Sequence, residues 1–249
     1  MAESSAAGDR PVWWSKAILA VAIVAAALLP LGPLGAKFGV WGFPIGLLSL
    51  AVAMGLAALG VVIGVVALIA ANKRNLFSAR KPIYIAMVIN AVVIVFMGNQ
   101  FFGAQSVPPI HNISTDVDDP PQFDQIVAIR GEQSNPLELD AALIGPLQEE
   151  FYPWLETYRT EQAGQEVFAK AVQVVQDMGL ELVKADADAG LVEATATTFW
   201  FGFKDDVAIR IRPDGTGSAV DVRSISRVGV GDLGANANRI REILERLAG

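Results

Sequence analysis

The side chains best suited to chemistry in this chain are three carboxylates, two guanidiniums and one amide near its C-terminal end. Asp205 and Asp206 are adjacent, Arg223 and Arg227 follow four residues apart, and Asp232 and Asn236 repeat that spacing. Paired arginines recognise carboxylate and phosphate groups through their planar forks. If a helix begins near Asp232, its free amides also favour negative charge. One reading is therefore a site in which Arg223, Arg227 and Asp206 handle an anionic lipid or metabolite. The other is structural: Asp232 caps the helix, the arginines bridge carboxylates, and Gly229, Gly231 and Gly234 permit tight turns. The structural reading is the simpler of the two.

Other chemistries find little support. Cysteine is absent, which removes disulfides, thiolate metal sites and a cysteine nucleophile. The single histidine, His111, stands near Asp116, Asp118 and Asp119. A calcium loop needs regularly spaced oxygens and a tight glycine turn, and no glycine lies there, so a solvated linker accounts for the group better. With His111 outside any folded pattern, a Ser–His–Asp arrangement has no base. Gly229, Gly231 and Gly234 match a dinucleotide fingerprint in spacing, but no βαβ unit surrounds them. No metal or cofactor is implied, and no catalytic set emerges.

The elements that must position the six polar residues are legible around them. Val207, Ile209 and Ile211 alternate along Asp206–Arg212, and Val220 and Val222 along Ser218–Val228. Between them Pro213-Asp214-Gly215-Thr216-Gly217 signals a hairpin. The alternation assigns these aliphatic residues to a core face, leaving Asp206, Arg210, Arg212, Asp221, Arg223 and Arg227 on the other. A turn at Asp214-Gly215 sets Asp206 opposite Arg223. A turn at Gly215-Thr216 sets Arg210 opposite Asp221. Upstream, Leu180–Asp186 and a long alternating run, Leu191–Phe203, read as further strands. Glu193, Thr195 and Thr197 share parity with Phe199, Phe201 and Phe203. Either the strand bends or bulges near Thr198, or aromatic side chains occupy the outer face. Val167, Phe168, Ala171, Val172, Val175 and Met178 form a helical stripe ended by Gly179. Leu233, Ile240, Ile243, Leu244 and Leu247 mark a last helix over Leu233–Leu247, with Asp232 as its N-cap. Residues 137–160 read as short helical pieces broken at Pro146 and Pro153.

The other half of the chain has a different composition. The chain is 53% hydrophobic and 18% charged. Three stretches, from Lys16 to Lys37, Lys37 to Lys73 and Lys81 to His111, contain no charge, and each matches the roughly 20 residues that cross a bilayer. Spans are expected at about Ser15–Leu31, Pro44–Ala71 and Ile83–Gly98. Residues 1–99 carry seven basic and two acidic side chains, and residues 100–249 carry twelve and twenty-four. So acidic a second half is a poor ligand for nucleic acid and is repelled by anionic lipid surfaces. Lys73, Arg74, Arg80 and Lys81 cluster between the second and third spans, which points that loop to the cytoplasm. The N-terminus, with Arg10 and Lys16, is then cytoplasmic and the C-terminal domain lies outside, in a bacterial cell the periplasm. Trp13, Trp14, Trp41 and Phe43 fall at expected interfaces. A cleaved signal peptide competes for the first span, but Leu34 makes Leu34-Gly35-Ala36 a poor cleavage site. Ser49, Ala53, Ala57, Gly60 and Gly64 line one face of the second span. They serve packing within the bundle or, as the alternative, a contact with another membrane protein. Asn90 is expected to bond a neighbouring helix, and without intramembrane charge a proton relay has no basis.

Several segments together carry a family resemblance. Phe203-Lys204-Asp205-Asp206-Val207, then Asp221-Val222-Arg223-Ser224-Ile225-Ser226-Arg227-Val228-Gly229, then Gly231-Asp232-Leu233-Gly234-Ala235-Asn236 resemble the domain of unknown function 1499 family. Ser114-Thr115-Asp116, Asp119-Pro120-Pro121-Gln122-Phe123 and Tyr152-Pro153 fit as well. The resemblance covers about residues 108–247 and implies a fold with shared structural positions, without an established reaction. Two features depart from it: the N-terminal cysteine motif of shorter members is missing, and Trp154 stands where an aspartate is expected.

The expected fold is α+β: an N-terminal three-helix transmembrane bundle (1–99), a Pro-rich tether (100–122), and an antiparallel sheet with helices packed on one face (123–249). The expected role is an accessory or binding component of the envelope rather than an enzyme.

Overall fold

The protein is described from a computed structural model covering residues 12–249; Arg10, assigned above to the cytoplasmic end, lies outside the described residues. The chain divides into two compact units, a helical one and a sheet-containing one.

Three helices dominate the first unit, with which Trp200–Gly202 are also grouped: α1 (Trp13–Lys37), α2 (Phe43–Lys73) and α3 (Phe77–Gln105). Each is long and apolar enough to cross a membrane. At 1.5 Å per residue even the 25-residue α1 reaches roughly 37 Å, beyond the ~30 Å hydrocarbon layer. The helices outrun the expected spans because hydropathy marks only the part in hydrocarbon. Pro30 and Pro33 lie within α1 and do not end it. Lys73 closes α2 while Arg80 and Lys81 open α3, so the basic cluster brackets a tight turn at 74–76.

The small-residue face of α2 is consumed inside this bundle. Ala53 and Ala57 are fully buried. A methyl group on Gly60 would stand 2.3 Å from the Asn90 amide nitrogen, and one on Gly64 would stand 2.8 Å from Met87 Cγ. On the α1 side, the Ser49 hydroxyl bonds the Gly46 carbonyl at 2.6 Å and sits where a side chain on Gly32 would go. Ser49, Ala53, Ala57, Gly60 and Gly64 thus serve close packing within the bundle. Asn90 differs from expectation too. It is 1% exposed, yet neither atom of its amide has a hydrogen-bond partner among the described residues. It faces the bare backbone of Gly60 rather than a polar side chain.

The second unit holds β1 (Asn112–Ser114), α4 (Gln125–Ile129), α5 (Ala141–Phe151), β2 (Tyr158–Thr160), α6 (Gly164–Asp177), β3 (Glu181–Asp186), β4 (Leu191–Thr197), β5 (Lys204–Asp214), β6 (Gly217–Ser226) and α7 (Ala235–Ala248). The sheet is antiparallel in the order β1-β6-β5-β4-β3, with β2 also paired to β6. Helices α6 and α7 cover one face. Val167, Ala171 and Val175 of α6 and Ile240, Ile243 and Leu247 of α7 meet Val192, Val207, Ile209, Val220 and Val222. Each large aliphatic side chain buried there contributes about 1.5–3 kcal/mol.

Several local expectations change. Asp214 pairs with Gly217 and Arg210 with Asp221, so the hairpin turns at Gly215-Thr216. Strand β4 stops at Thr197 instead of running to Phe203. The Thr198 amide donates to the Phe203 carbonyl, and the Thr198 hydroxyl accepts from the Phe203 amide, both at 2.8 Å. These bonds close a loop that carries the aromatic residues out of the sheet. Residues 112–114, expected in the tether, form β1, and the segment is buried because its three residues complete the edge of β6. Pro146 sits inside α5, which Asp140 caps by accepting from Ala142 and Leu143. The helix ends at Phe151, since Pro153 disfavours a helical Tyr152. The last helix starts at Ala235 rather than Leu233, because Leu233 and Gly234 both take left-handed backbone (φ 57° and 80°).

Candidate functional site

The six candidate residues are divided between the two faces of the sheet, the strand residues by their parity and Asp232 and Asn236 by their place at the start of α7. Asp206, Arg223 and Arg227 lie on the outer face, which residues 115–138 cover. Asp205, Asp232 and Asn236 belong to the face beneath α7.

On the outer face the register builds polar rows. Thr195, Asp206, Ile225 and Asn112 lie side by side, and Glu193, Ala208, Arg223 and Ser114 form the next row. The Asp206 carboxylate is fully buried and accepts from three side chains. Arg130 approaches one oxygen at 2.5 Å, Arg227 bonds through Nε (2.9 Å) and Nη2 (2.8 Å), and the Thr195 hydroxyl donates at 2.9 Å. Burial lowers the pKa of Arg130; the charge and hydrogen bond of Asp206 oppose that shift and the charge of Arg227 adds to it. Arg130 also bonds the Asn135 carbonyl, while Asn135 Nδ2 reaches the carbonyls of Ser226 and Gly229. The covering segment is thereby fastened to the end of β6.

Arg223 is 1% exposed and, among the described residues, has no carboxylate within ion-pair distance. Its guanidinium donates to Asn112 Oδ1 (3.1 Å), to the Pro121 carbonyl (3.1 Å) and to the Leu137 carbonyl, and it lies over the Phe123 ring at 5.2 Å. Burial pulls its pKa down to about 10, the charge of Arg130 pulls the same way, and Glu138 opposes them. It still carries its charge at neutral pH. Glu193, on the far side of Ala208, mirrors it: the buried carboxylate accepts the amides of Asp124 (2.6 Å) and Gln125 (2.9 Å) at the start of α4. Two buried charges of opposite sign thus hold two stretches of the same overlying segment, one through carbonyls and one through amides.

Beneath α7 the arrangement is also closed. Asp205 pairs with Arg239 at 2.7 Å, and Arg239 reaches Asn236 Oδ1 (2.6 Å) and the Ser224 hydroxyl (2.9 Å). Asn236 Nδ2 donates to Ser226 Oγ and to the His111 carbonyl. Asp232 is not the N-cap expected of it, a position Gly234 holds; from two residues upstream it accepts the Gly234 and Asn236 amides, both at 2.8 Å. Burial raises the Asp232 pKa, its two backbone bonds oppose this, and Asp205 adds to the rise.

Of the acidic residues near His111, Asp116 and Asp119 are engaged by arginines. Arg210 bonds Asp119 (2.9 Å), Asp116 (3.3 Å) and Asp221 (3.0 Å), and Arg212 bonds Asp221 at 2.6 Å. The hydroxyls of Thr157 and Thr115 complete the Asp221 shell. Burial alone would raise the Asp221 pKa; Thr157, Arg210 and Arg212 outweigh it and hold the carboxyl below its ordinary value. No group of three or more acidic or histidine side chains suited to a metal occurs among the described residues. The glycine triplet joins antiparallel β6 to α7, outside any βαβ unit.

Sequence reasoning missed Arg130 and Arg239 altogether. Arg130 stands alone in its segment, Arg239 is one of three arginines along α7, and nothing local announces a partner 76 or 34 residues away. Glu193 was visible by parity, although its role as a cap was not. Trp154, the departure from the family pattern, packs edge-on to Tyr152 with the Arg241 guanidinium 4.0 Å above its ring.

No protein of curated function matches this chain. The sequence model of the family described as "Protein of unknown function (DUF1499)" matches residues 112–247, from the first residue of β1 to the penultimate residue of α7. The match takes in both faces of the sheet and every side chain of the two polar networks, and the chain belongs to the DUF1499 family.

Proposed function

We propose that this chain is a membrane-anchored accessory or binding component of the bacterial envelope, displaying its α+β unit on the periplasmic side of the inner membrane. The observation that carries the non-catalytic part is the closure of the outer-face network. Asp206 is saturated by Arg130, Arg227 and Thr195, and Arg223 is consumed by Asn112 and two backbone carbonyls. An anionic lipid or metabolite could reach these groups only by displacing the segment they hold, so the enzyme reading through Arg223, Arg227 and Asp206 loses its motive. The side of the membrane is supported by the basic cluster bracketing the turn at 74–76, since cytoplasmic loops concentrate lysine and arginine. With three spans, the termini lie on opposite sides.

Two measurements test the reading. A reporter that is active only outside the cytoplasm, fused after Gly249, should be active, and activity of a cytoplasm-only reporter at that position would overturn the orientation. Extraction in mild detergent should retain a stoichiometric protein partner; a bare monomer across detergents and salt conditions would remove the binding role.

A further inference from the structure

Five of the six lysine and arginine side chains between Trp13 and Gln105 gather at one end of the helical unit. Lys16 lies in the first turn of α1, Lys73 and Arg74 end α2, and Arg80 and Lys81 belong to the first turns of α3. Packing brings these stretches together: Trp14 and Ile18 of α1 meet Ala67 and Ala71 of α2 and Ala79 and Ile83 of α3. The sixth cation, Lys37, closes α1 at the other end. No carboxylate side chain occurs between Asp9 and Asp116, so the three helices offer none of these cations an ion pair. Fixed charge of one sign without a counter-charge attracts an anion from outside the unit.

The turn that carries four of the five is fixed in shape. The Arg74 amide donates to the Ala70 carbonyl at 3.1 Å, the Leu76 amide donates to the Ala71 carbonyl at 2.9 Å, and Asn75 takes left-handed backbone (φ 51°). The chain thus reverses within three residues, with Lys73-Arg74 before the turn and Arg80-Lys81 after it. The Arg80 guanidinium lies over the Phe77 ring at 4.3 Å, and its Nε is buried without a hydrogen-bond partner among the described residues. Lys16, Lys73, Arg74 and Lys81 are exposed. Helix length sets their depth. The 31-residue α2 is free of charge up to Lys73 and reaches roughly 46 Å, about the thickness of a bilayer with its headgroups. Across a membrane, Lys73 and its neighbours therefore stand among lipid phosphates. Trp13, 78% exposed at the same end, is a residue type that favours that layer.

We propose that this end of the helical unit is a binding site for anionic phospholipid, in which Arg74 and Arg80 engage headgroup phosphates and Lys16, Lys73 and Lys81 draw the lipid in. A guanidinium binds phosphate through two parallel hydrogen bonds, and the ring of Phe77 holds the Arg80 fork ready for them. Basic clusters beside membrane helices recognise anionic headgroups in this way. A soluble phosphate carries the same chemistry; the depth of the charges selects the lipid. The inference goes beyond the accessory role proposed above. It rests on the helices crossing a membrane, and neither the side that the sheet unit occupies nor a protein partner enters it.

The test is lipid selectivity. The full-length protein is reconstituted in phosphatidylcholine bilayers with a trace of spin-labelled phosphatidylglycerol or spin-labelled phosphatidylcholine. The motionally restricted fraction of each label gives the relative association constant of the two lipids. A several-fold preference for phosphatidylglycerol at low salt is expected. Arg74→Gln/Arg80→Gln should lose most of that preference, whereas Lys37→Gln, which removes charge at the other end, should keep it. Equal association of the two lipids with the unaltered protein would overturn the site while leaving the spans intact. An equal loss in Lys37→Gln would also overturn it, because the attraction would then belong to the net charge rather than to this turn. Displacement of the labelled phosphatidylglycerol by inorganic phosphate at constant ionic strength would assign the turn to a soluble anion instead. No restricted lipid of either kind would remove the spans and the site together. Should Arg74→Gln/Arg80→Gln fail to reconstitute, Lys73→Gln/Lys81→Gln, which alters only exposed side chains, carries the same comparison.

Discussion

The outer face of the sheet and the interior of the helical unit both bury polar groups, and they do so in opposite ways. On the sheet, Asp206, Glu193 and Arg223 are almost wholly buried, and each is met by two or more partners. In the bundle Asn90 is equally buried and, among the described residues, its amide meets no partner at all. The difference follows from charge. An ionised group cannot be left unpaired in a low-dielectric interior without a penalty of several kcal/mol, whereas a neutral amide costs about 1–3 kcal/mol by protein mutational measures. The sheet face is thus a seam that locks residues 115–138 in place, and the bundle tolerates one unsatisfied amide against the small surface of Gly60.

The most direct way to break this contrast is Asp206→Ala, which leaves Arg130 and Arg227 buried beside each other without a counter-charge. Removing one member of such a group costs roughly 3–5 kcal/mol. Denaturant unfolding of the full chain in detergent, followed by near-ultraviolet circular dichroism, should show that loss. On the apolar face of the same strand, Ile209→Val should cost only about 0.5–1.5 kcal/mol. Comparable losses for the two variants would mean that the carboxylate is not the keystone of the seam.

Arg223→Met sharpens the comparison, because this charge is held by carbonyls rather than by a carboxylate. The substitution keeps much of the side-chain volume but abandons Asn112 Oδ1 and the carbonyls of Pro121 and Leu137. A loss of roughly 2–3 kcal/mol is expected. It should be accompanied by faster proteolysis within 121–137, since the fastening acts on that segment. Destabilisation with unchanged proteolysis there would assign Arg223 some other role.

How much of this was legible depends on the range of the interaction. Alternation with a period of two placed Val207, Ile209 and Ile211 on one face and Asp206 and Arg210 on the other, because a strand offers no third choice. The same rule separates Asp205 from Asp206, although adjacency in sequence invites grouping them. The hairpin register was ambiguous by one residue, since both turns brought opposite charges together. Strand β1 was hidden: three residues flanked by prolines carry no period of their own, and only the edge of β6, more than a hundred residues later, makes them a strand. Arg130 and Arg239 were hidden for the same reason. The three helices were the clearest feature, because absence of charge over twenty residues is a local signal.

Acid provides a milder test on the same face. Thr157, Arg210 and Arg212 hold the Asp221 carboxyl below its ordinary value against the effect of burial. A folded-state pKa below the unfolded value, about 3.9, gives stabilisation that is complete above that pH and disappears as pH falls through the folded value. Asp232 has the opposite sign: its raised pKa gives a contribution that is full below the unfolded value and is lost as pH rises through the folded one. Asp221→Asn should therefore weaken the unit at neutral pH and flatten its loss of stability as pH falls below about 4. An unchanged acid slope in the variant would exclude Asp221 as a source of that sensitivity.

The smallest expected effect is the most discriminating for the helical unit. If the Asn90 amide is unsatisfied, replacing it with leucine of similar size removes a desolvation cost and forfeits no hydrogen bond. Asn90→Leu should then change stability by less than about 0.5 kcal/mol or raise it, because an apolar group of matching shape replaces a polar one without a partner. The measurement is loss of helicity against the mole fraction of sodium dodecyl sulfate in mixed micelles. A cost above roughly 1.5 kcal/mol would show that the amide does find a partner in the membrane. The two regions would then obey one rule, every buried polar group paired, and the contrast between them would reduce to the number of charges each one buries.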